Sequence, residues 1–224
     1  MSTLILPCAG SAERMGGIPK FLLPTGNQKE NLLKYWIESG LNFASKILIP
    51  TNSIFYPMVN AMYASENVKV LEVDTKSMPE TISTILPDGD CIVGMPDTYI
   101  SNLNAMFERI KWSEPSEAVC NVGIWKIQDF QKGKVGQVAL SDNNEIVDII
   151  DKDPFCDLEF FWGALAWKES FSKFIQPEDK HLGISLKRAI SSETRIKGCR
   201  MESKYFDCGT PQEYLKLLIA NSTT

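Results

Sequence analysis

LILPCAGSAERMGGIPKFLLP, residues 4–24, is the stretch from which the fold is read. LILP is a short apolar run of strand character that ends at Pro7. Small residues follow at Ala9, Gly10, Ser11 and Ala12, and such residues let backbone N–H groups approach an anion. Arg14 comes next, then Gly16–Gly17, then Pro19 and Lys20. Arginine can fork two phosphate oxygens and lysine adds a compact point charge. A buried strand running into a small-residue loop with two fixed cations fits a triphosphate. The loop lacks the GK[ST] ending of a Walker A motif and the GxGxxG of a dinucleotide fingerprint. Taken alone, it also fits a polar surface loop with solvated charges.

Outward from this loop, strand and helix signals alternate. Leu32, Leu33, Trp36, Ile37 and Leu41 make a helical stripe over 31–44. KILIP (46–50) reads as a second strand, 54–65 as a helix carrying Met58, Val59 and Met62, and VKVLEV (68–73) as a third strand. ETISTIL (80–86) is a short helix, DCIVGM (90–95) a fourth strand, and 101–112 a helix. Alternation of this kind predicts an α/β fold with a mostly parallel, Rossmann-like sheet, helices on both faces and right-handed crossovers. Ligands then sit at the carboxyl ends of the strands, which points to the loops after Pro7 and after Gly94.

The second half is richer in β signals. AVCNVGIW (118–125) reads as a strand, GQVAL and EIVDII within 136–150 as a hairpin across SDNN, and FFWGALAW (160–167) as another strand. KRAISS (187–192) reads as a short helix and CRMESKYF (199–206) as one strand. The chain closes with a helix over 210–220, marked by Thr210 as N-cap, Pro211 at N1 and Glu213 at N3. The expected organisation is a single domain over 1–224, with an NTP-binding half to about 115 and a β-rich acceptor-binding half from about 116.

Composition narrows the function classes. The chain has 224 residues, 44% of them apolar, which suits one sizeable core. A net charge of -5 argues against a nucleic-acid partner. No run of eighteen apolar residues predicts a membrane helix, and MSTLILPCAG has no basic region ahead of its apolar run, so it reads as a strand and not as a signal peptide. The six cysteines form no CxxC pair and the chain has one histidine, so a zinc site of ordinary spacing is not expected. Reduced, buried thiols in a cytoplasmic protein are the expectation. His181, in EDKHLG, has no partner by sequence and reads as a surface loop residue.

Two aspartates stand where a metal would be held. Asp97 in VGMPDTYI follows the fourth strand, and Asp207 in YFDCGTPQEY lies between a strand and the closing helix. Mg²⁺ takes one or two carboxylates together with phosphate oxygens and water. Turn or cap roles are the ordinary alternative for each. Asp88-Gly89-Asp90 spells D-x-D, but it precedes a strand and reads as a turn.

Together these segments resemble the sugar-phosphate nucleotidyltransferases and their cytidylyltransferase relatives, a GT-A-like fold. Ala9-Gly10-Ser11-Ala12-Glu13-Arg14-Met15 followed by Pro19-Lys20 is similar to the family's A-G-x-G-x-R-[LM]…P-K, with Ala12 in place of its second glycine. Asp97 matches the family's first metal-binding Asp, and Asp207-Cys208-Gly209-Thr210 matches its D-x-G-T. The resemblance implies that Met78, Pro79 and Thr81 of SMPETISTIL lie near the nucleobase, beside the plain reading of a Pro-started helix. It implies that Asp151 and Lys152 of DIIDKDPF reach the acceptor phosphate, and that Trp162 and Gly163 of FFWGALAW line the acceptor.

The implied reaction is in-line attack of an acceptor phosphate oxygen on the α-phosphorus of CTP, UTP or dTTP, with Mg²⁺ as cofactor and pyrophosphate leaving. Arg14, Lys20 and Lys152 would neutralise charge, and no general base is needed because the attacking oxygen is already ionised. A sugar 1-phosphate is the expected acceptor. A polyol phosphate or another alcohol phosphate taken by a cytidylyltransferase is the alternative, and a non-catalytic nucleotide sensor is a third reading. Homo-oligomer formation stays open.

Overall fold

The computed structural model describes residues 2–26, 30–111 and 117–222, with Arg14 by its backbone alone. Strand β1 is Thr3–Ile5, and both its neighbours run parallel to it: β2 (Lys46–Thr51) and β4 (Cys91–Val93). Strand β3 (Val68–Glu72) extends the parallel set beyond β2. β9 (Phe160–Trp167) lies antiparallel between β4 and β6 (Cys120–Lys126), and β10 (Ile196–Arg200) runs parallel to β6. The order is β10-β6-β9-β4-β1-β2-β3, so strands of the second half continue the sheet of the first. The predicted hairpin is β7 (Gly136–Leu140) with β8 (Ile146–Asp151), attached through β7 to β9.

Alternation along β1 explains the two-faced core. Leu4 and Leu6 belong to one buried cluster and Ile5 to the other, because successive side chains of a strand point to opposite faces. Helix α1 (Leu32–Gly40) is capped by Asn31, whose side chain accepts from the Lys34 amide at 2.9 Å. It buries Leu32, Leu33, Trp36 and Ile37 as its stripe predicts, whereas Leu41 lies past the helix end and is exposed. The Trp36 ring packs over Gly94, where a Cβ would come within 2.4 Å of it. Its indole N–H donates to the Thr98 carbonyl at 2.8 Å. The loop carrying Asp97 is thus held from both ends by one tryptophan.

The remaining helices are α2 (Tyr56–Tyr63), α3 (Met78–Ile85), α4 (Leu103–Ile110), α5 (Leu182–Ser191) and α6 (Pro211–Ser222). Two expectations change. CRMESKYF is not one strand: β10 ends at Arg200, and a separate β11 (Tyr205–Asp207) pairs antiparallel with β5 (Thr98–Ile100) in a two-stranded sheet. The polar residues Glu202, Ser203 and Lys204 make the turn between them. α5 begins five residues earlier than KRAISS, because Leu182, Ser185, Leu186 and Ala189 bury a helical stripe that starts there. At α6 the predicted cap takes a variant form: the Thr210 hydroxyl accepts from the Glu213 amide (3.3 Å) and donates to its carboxylate (3.0 Å). No helix among the described residues is long and apolar enough to cross a membrane. The six cysteines are unpaired.

Candidate active site

The loop after β1 is tethered to the neighbouring strand. The Cys8 amide donates to the Pro50 carbonyl (2.8 Å), the Thr51 hydroxyl to the Cys8 carbonyl (3.3 Å), and the Asn52 amide side chain to the carbonyls of Ala9 and Gly10 (3.3 and 3.2 Å). With those carbonyls committed, the backbone N–H groups of Ala9, Gly10, Ser11 and Ala12 make no hydrogen bond among the described residues. Four successive free amides are an anion-binding arrangement. Nothing lies within 4 Å of where a Gly10 Cβ would be, so its side faces open space. Ala12 has φ 58 and ψ 16, the left-handed conformation that glycine adopts freely and alanine adopts at a cost. Its methyl therefore acts first on the loop's own backbone. The Arg14 backbone lies in the turn Glu13–Met15, and its side chain lies outside the described structure.

This loop walls a cavity of about 360 Å³. Pro7, Ala9, Gly10, Ser11 and Lys20 line it on one side, and Met78, Thr81 and Asp97 on others. Pro79, grouped with them by sequence, is buried in the first turn of α3 and does not line it. Thr75, Lys76 and Ser77 do, although no motif marks them. Ser77 caps α3 by accepting from the Glu80 amide (3.2 Å), and the Thr81 hydroxyl lies 2.6 Å from that of Thr75. The sequence signal for these three was only the helix start.

Lys20 Nζ is 3.7 Å from Asp97 Oδ2, with the lysine side chain mostly covered. Register brings the second aspartate to the first: Asp207 pairs with Thr98, and the Cys208 amide donates to the Asp97 carbonyl at 3.1 Å. Burial, with the Asp97 and Glu213 charges, pushes the Asp207 carboxyl up to about 6, against the opposing effects of the Gly209 amide (2.8 Å) and Lys20. Burial and Asp97 likewise push the Cys8 thiol up. Two mutually repelling carboxylates, with an ammonium beside one of them, form a donor set that suits a hard cation. No group of three or more potential metal ligands occurs among the described residues, and two carboxylates are what Mg²⁺ needs when phosphate oxygens complete its shell.

The residues assigned to the acceptor are not brought into this cavity. Asp151 ends β8 opposite Gly136, and Lys152 follows in a left-handed conformation (φ 51). A Cβ on Gly136 would meet the Trp162 indole nitrogen at 2.3 Å and Asp151 Oδ1 at 3.2 Å. The Trp162 N–H is buried without a partner. Gly163 is explained by packing: a Cβ there would lie 2.5 Å from the Tyr205 ring. His181 is not an unpartnered surface residue. It stands at the start of α5 with Nε2 3.4 Å from Asp151 Oδ2, packed over Gly183. The pairing spans thirty positions of sequence, so no local signal could announce it.

No family model matches the sequence, and no curated protein matches it. Solved structures do. A UDP-glucose pyrophosphorylase complexed with UDP-glucose is similar over 100% of this chain and 99% of its own, with a TM-score of 0.81 at 15% identity. A putative glucose-1-phosphate thymidylyltransferase from Bacillus anthracis, in complex with a sucrose, gives 0.81 at 13% identity over 100% and 96%. The chain has the fold of the sugar-phosphate nucleotidyltransferases. The inositol-1-phosphate CTP transferase from T. maritima shares that fold as well, with a TM-score of 0.76 at 16% identity over 99% and 96% of the two chains.

Proposed function

We propose that this chain is a nucleotidyltransferase that joins the α-phosphate of CTP, UTP or dTTP to a small phosphorylated acceptor, a sugar 1-phosphate or a polyol phosphate, with release of pyrophosphate. The observation that carries the reading is the run of four free amides, Ala9 to Ala12, in one cavity with Lys20 and Asp97. The like folds support it, since they include enzymes of this class with sugar and inositol phosphates.

The triphosphate lies along the loop, with the free amides, Lys20 and Arg14 on its β and γ phosphates. The base lies toward Met78 and Thr81. An acceptor phosphate oxygen forms a bond to the α-phosphorus as the bond to the β-phosphate oxygen breaks. The amides and Lys20 hold the charge that grows on the departing pyrophosphate, at fixed positions that need no reorganisation. The attacking oxygen is ionised near neutral pH, so the step needs no base from the chain. Asp97 and Asp207 would hold Mg²⁺, which when bound neutralises phosphate charge.

Binding tests the nucleotide half of this reading directly. In thermal unfolding with Mg²⁺, at least one of the three triphosphates raises the Tm of the wild type, as any ligand of the native state must. Lys20→Ala shrinks that rise. No rise with any triphosphate would overturn the reading.

A further inference from the structure

Asn52 follows the last residue of β2 and does not line the loop cavity. Its side chain divides its bonding between two segments. Oδ1 accepts from the Ile54 and Phe55 amides, both at 3.1 Å, in the turn that leads into α2. Nδ2 donates to the Ala9 and Gly10 carbonyls. The backbone carbonyl of Asn52 accepts from Phe55 and Tyr56 (3.2 and 2.9 Å), which fixes the residue in that turn. The two ends of the side chain cannot exchange, because an NH₂ turned toward two N–H groups would find no acceptor there. The turn uses only the oxygen, and Asp or Ser would serve it as well. The nitrogen is what requires Asn, and the nitrogen serves the loop after β1.

We infer that Asn52 is a positioning residue of this site: it aims the Gly10 and Ser11 amides at the triphosphate. The inference rests on the nucleotidyl-transfer reading. In a planar trans peptide the carbonyl oxygen and the amide hydrogen point in opposite directions. The Ala9 carbonyl shares its peptide with the Gly10 N–H, and the Gly10 carbonyl shares its peptide with the Ser11 N–H. Held toward Asn52, these carbonyls send both N–H groups the other way, where Gly10 and Ser11 line the cavity. Among the described residues the two carbonyls have no other partner. Gly10 has no Cβ to resist a turn of either peptide. Without Asn52 the units can turn over and present carbonyl oxygens, which repel phosphate. The flanking amides are set by other bonds. The Cys8 carbonyl, bonded to the Thr51 hydroxyl, governs the Ala9 N–H. The Ala12 N–H belongs to the Ser11 peptide, whose carbonyl Asn52 does not bond, and the Ala12 carbonyl accepts from Met15 and Gly17 (3.0 and 3.1 Å). Asn52 therefore controls the middle two of the four amides.

That division gives a test that a merely structural role would fail. Asn52→Ser keeps an oxygen for the turn and removes the donor. Asn52→Asp keeps Oδ1 and puts a second oxygen in place of the donor. Thr51→Val removes the bond to the Cys8 carbonyl. The backbone signals of Ala9 to Ala12 are followed in ¹H–¹⁵N spectra of the full chain with Mg²⁺ and CTP, UTP or dTTP. In the wild type all four shift with at least one triphosphate. In Asn52→Ser the shifts of Gly10 and Ser11 are lost and those of Ala9 and Ala12 remain, whereas in Thr51→Val the loss falls on Ala9. Triphosphate affinity drops about tenfold in Asn52→Ser, the scale of one lost hydrogen bond to a charged group. If Asn52→Ser does not fold, Asn52→Asp decides on the same four signals. Shifts at Gly10 and Ser11 as large as in the wild type, or an equal loss at all four amides, overturn the inference. Wild-type amides that ignore every triphosphate would instead overturn the transfer reading beneath it.

Discussion

Asp207→Asn makes the metal-free protein more stable while it removes activity. In the fold Asp207 is held near Asp97 and Glu213, and its carboxyl is pushed up to about 6 from an ordinary 3.8 by burial first and by those charges second. A carboxyl raised by that much costs the folded state up to about 3 kcal/mol once it ionises, and residual solvent screening brings the expected gain for Asn to about 1–2 kcal/mol. The amide keeps an oxygen to accept from the Gly209 N–H, now 2.8 Å from Oδ1, so the gain is not lost to an orphaned donor. In a chain of this length, that is a rise in Tm of roughly 2–8 °C. The sign of the pH dependence is fixed. Between about 3.8 and about 6 the folded wild type binds the extra proton, so this group stabilises the wild type as pH falls through that window. The advantage of Asn is therefore full near pH 8 and gone near pH 4. Chemical denaturation of both proteins in chelator at these two pH values measures it. A variant less stable than wild type by the same amount at both would refute the repulsion between the aspartates.

Three further outcomes follow from the same geometry. Asp97→Ala lowers turnover at least about a hundredfold with little change in Tm, because the side chain is partly exposed and its contribution is made to charge in the reaction; steady-state kinetics and a melting curve check both halves. Gly94→Ala drives a methyl into Trp36, costs about 1–3 kcal/mol as overpacking does, and displaces the Asp97 loop, seen as lower Tm together with weaker nucleotide binding. Arg188→Met leaves Asp179, a nearly buried carboxylate bonded at 2.6 and 2.8 Å to the guanidinium, without its partner. The expected loss is about 3–5 kcal/mol, read by urea denaturation. Arg188 holds the Asp179 carboxyl below its ordinary value, so that loss shrinks as pH falls through the low carboxylate range.

The parts of the site that were legible in the sequence are those carried by short, local patterns. The small-residue loop leaves the amides of Ala9 to Ala12 free of hydrogen bonds among the described residues, and a loop shaped by its own small residues keeps its pattern in the string. The parallel strands β1, β2 and β4 were legible for a similar reason: each is an apolar run bounded by turns, and burial on both faces demands it; the edge strand β3 shows instead an alternation of buried Val68 and Val70 with exposed Lys69. Elements whose reason to exist lies elsewhere in the chain were not legible. TYI (98–100) is three residues long and becomes a strand only because YFD (205–207) pairs with it, and that pairing is what brings Asp97 to Asp207. Sequence gave no reason for His181 to meet Asp151. A cavity of about 440 Å³ away from the loop is lined by Trp125, Phe130, Phe161 and Tyr205, residues up to eighty positions apart, each of which reads as ordinary core or loop on its own. Gly163 fits a family pattern in the string, and in space its missing side chain makes room for Tyr205, a contact that no local pattern announces.

Pyrophosphate release tests the central claim most directly: the full chain with Mg²⁺ and CTP, UTP or dTTP, against glucose 1-phosphate, inositol 1-phosphate and a wider set of sugar and polyol phosphates. The account predicts release that depends on one triphosphate and one phosphorylated acceptor together, and that is abolished in Asp97→Ala. Triphosphate binding without release for any acceptor, or release that persists in Asp97→Ala, would contradict it.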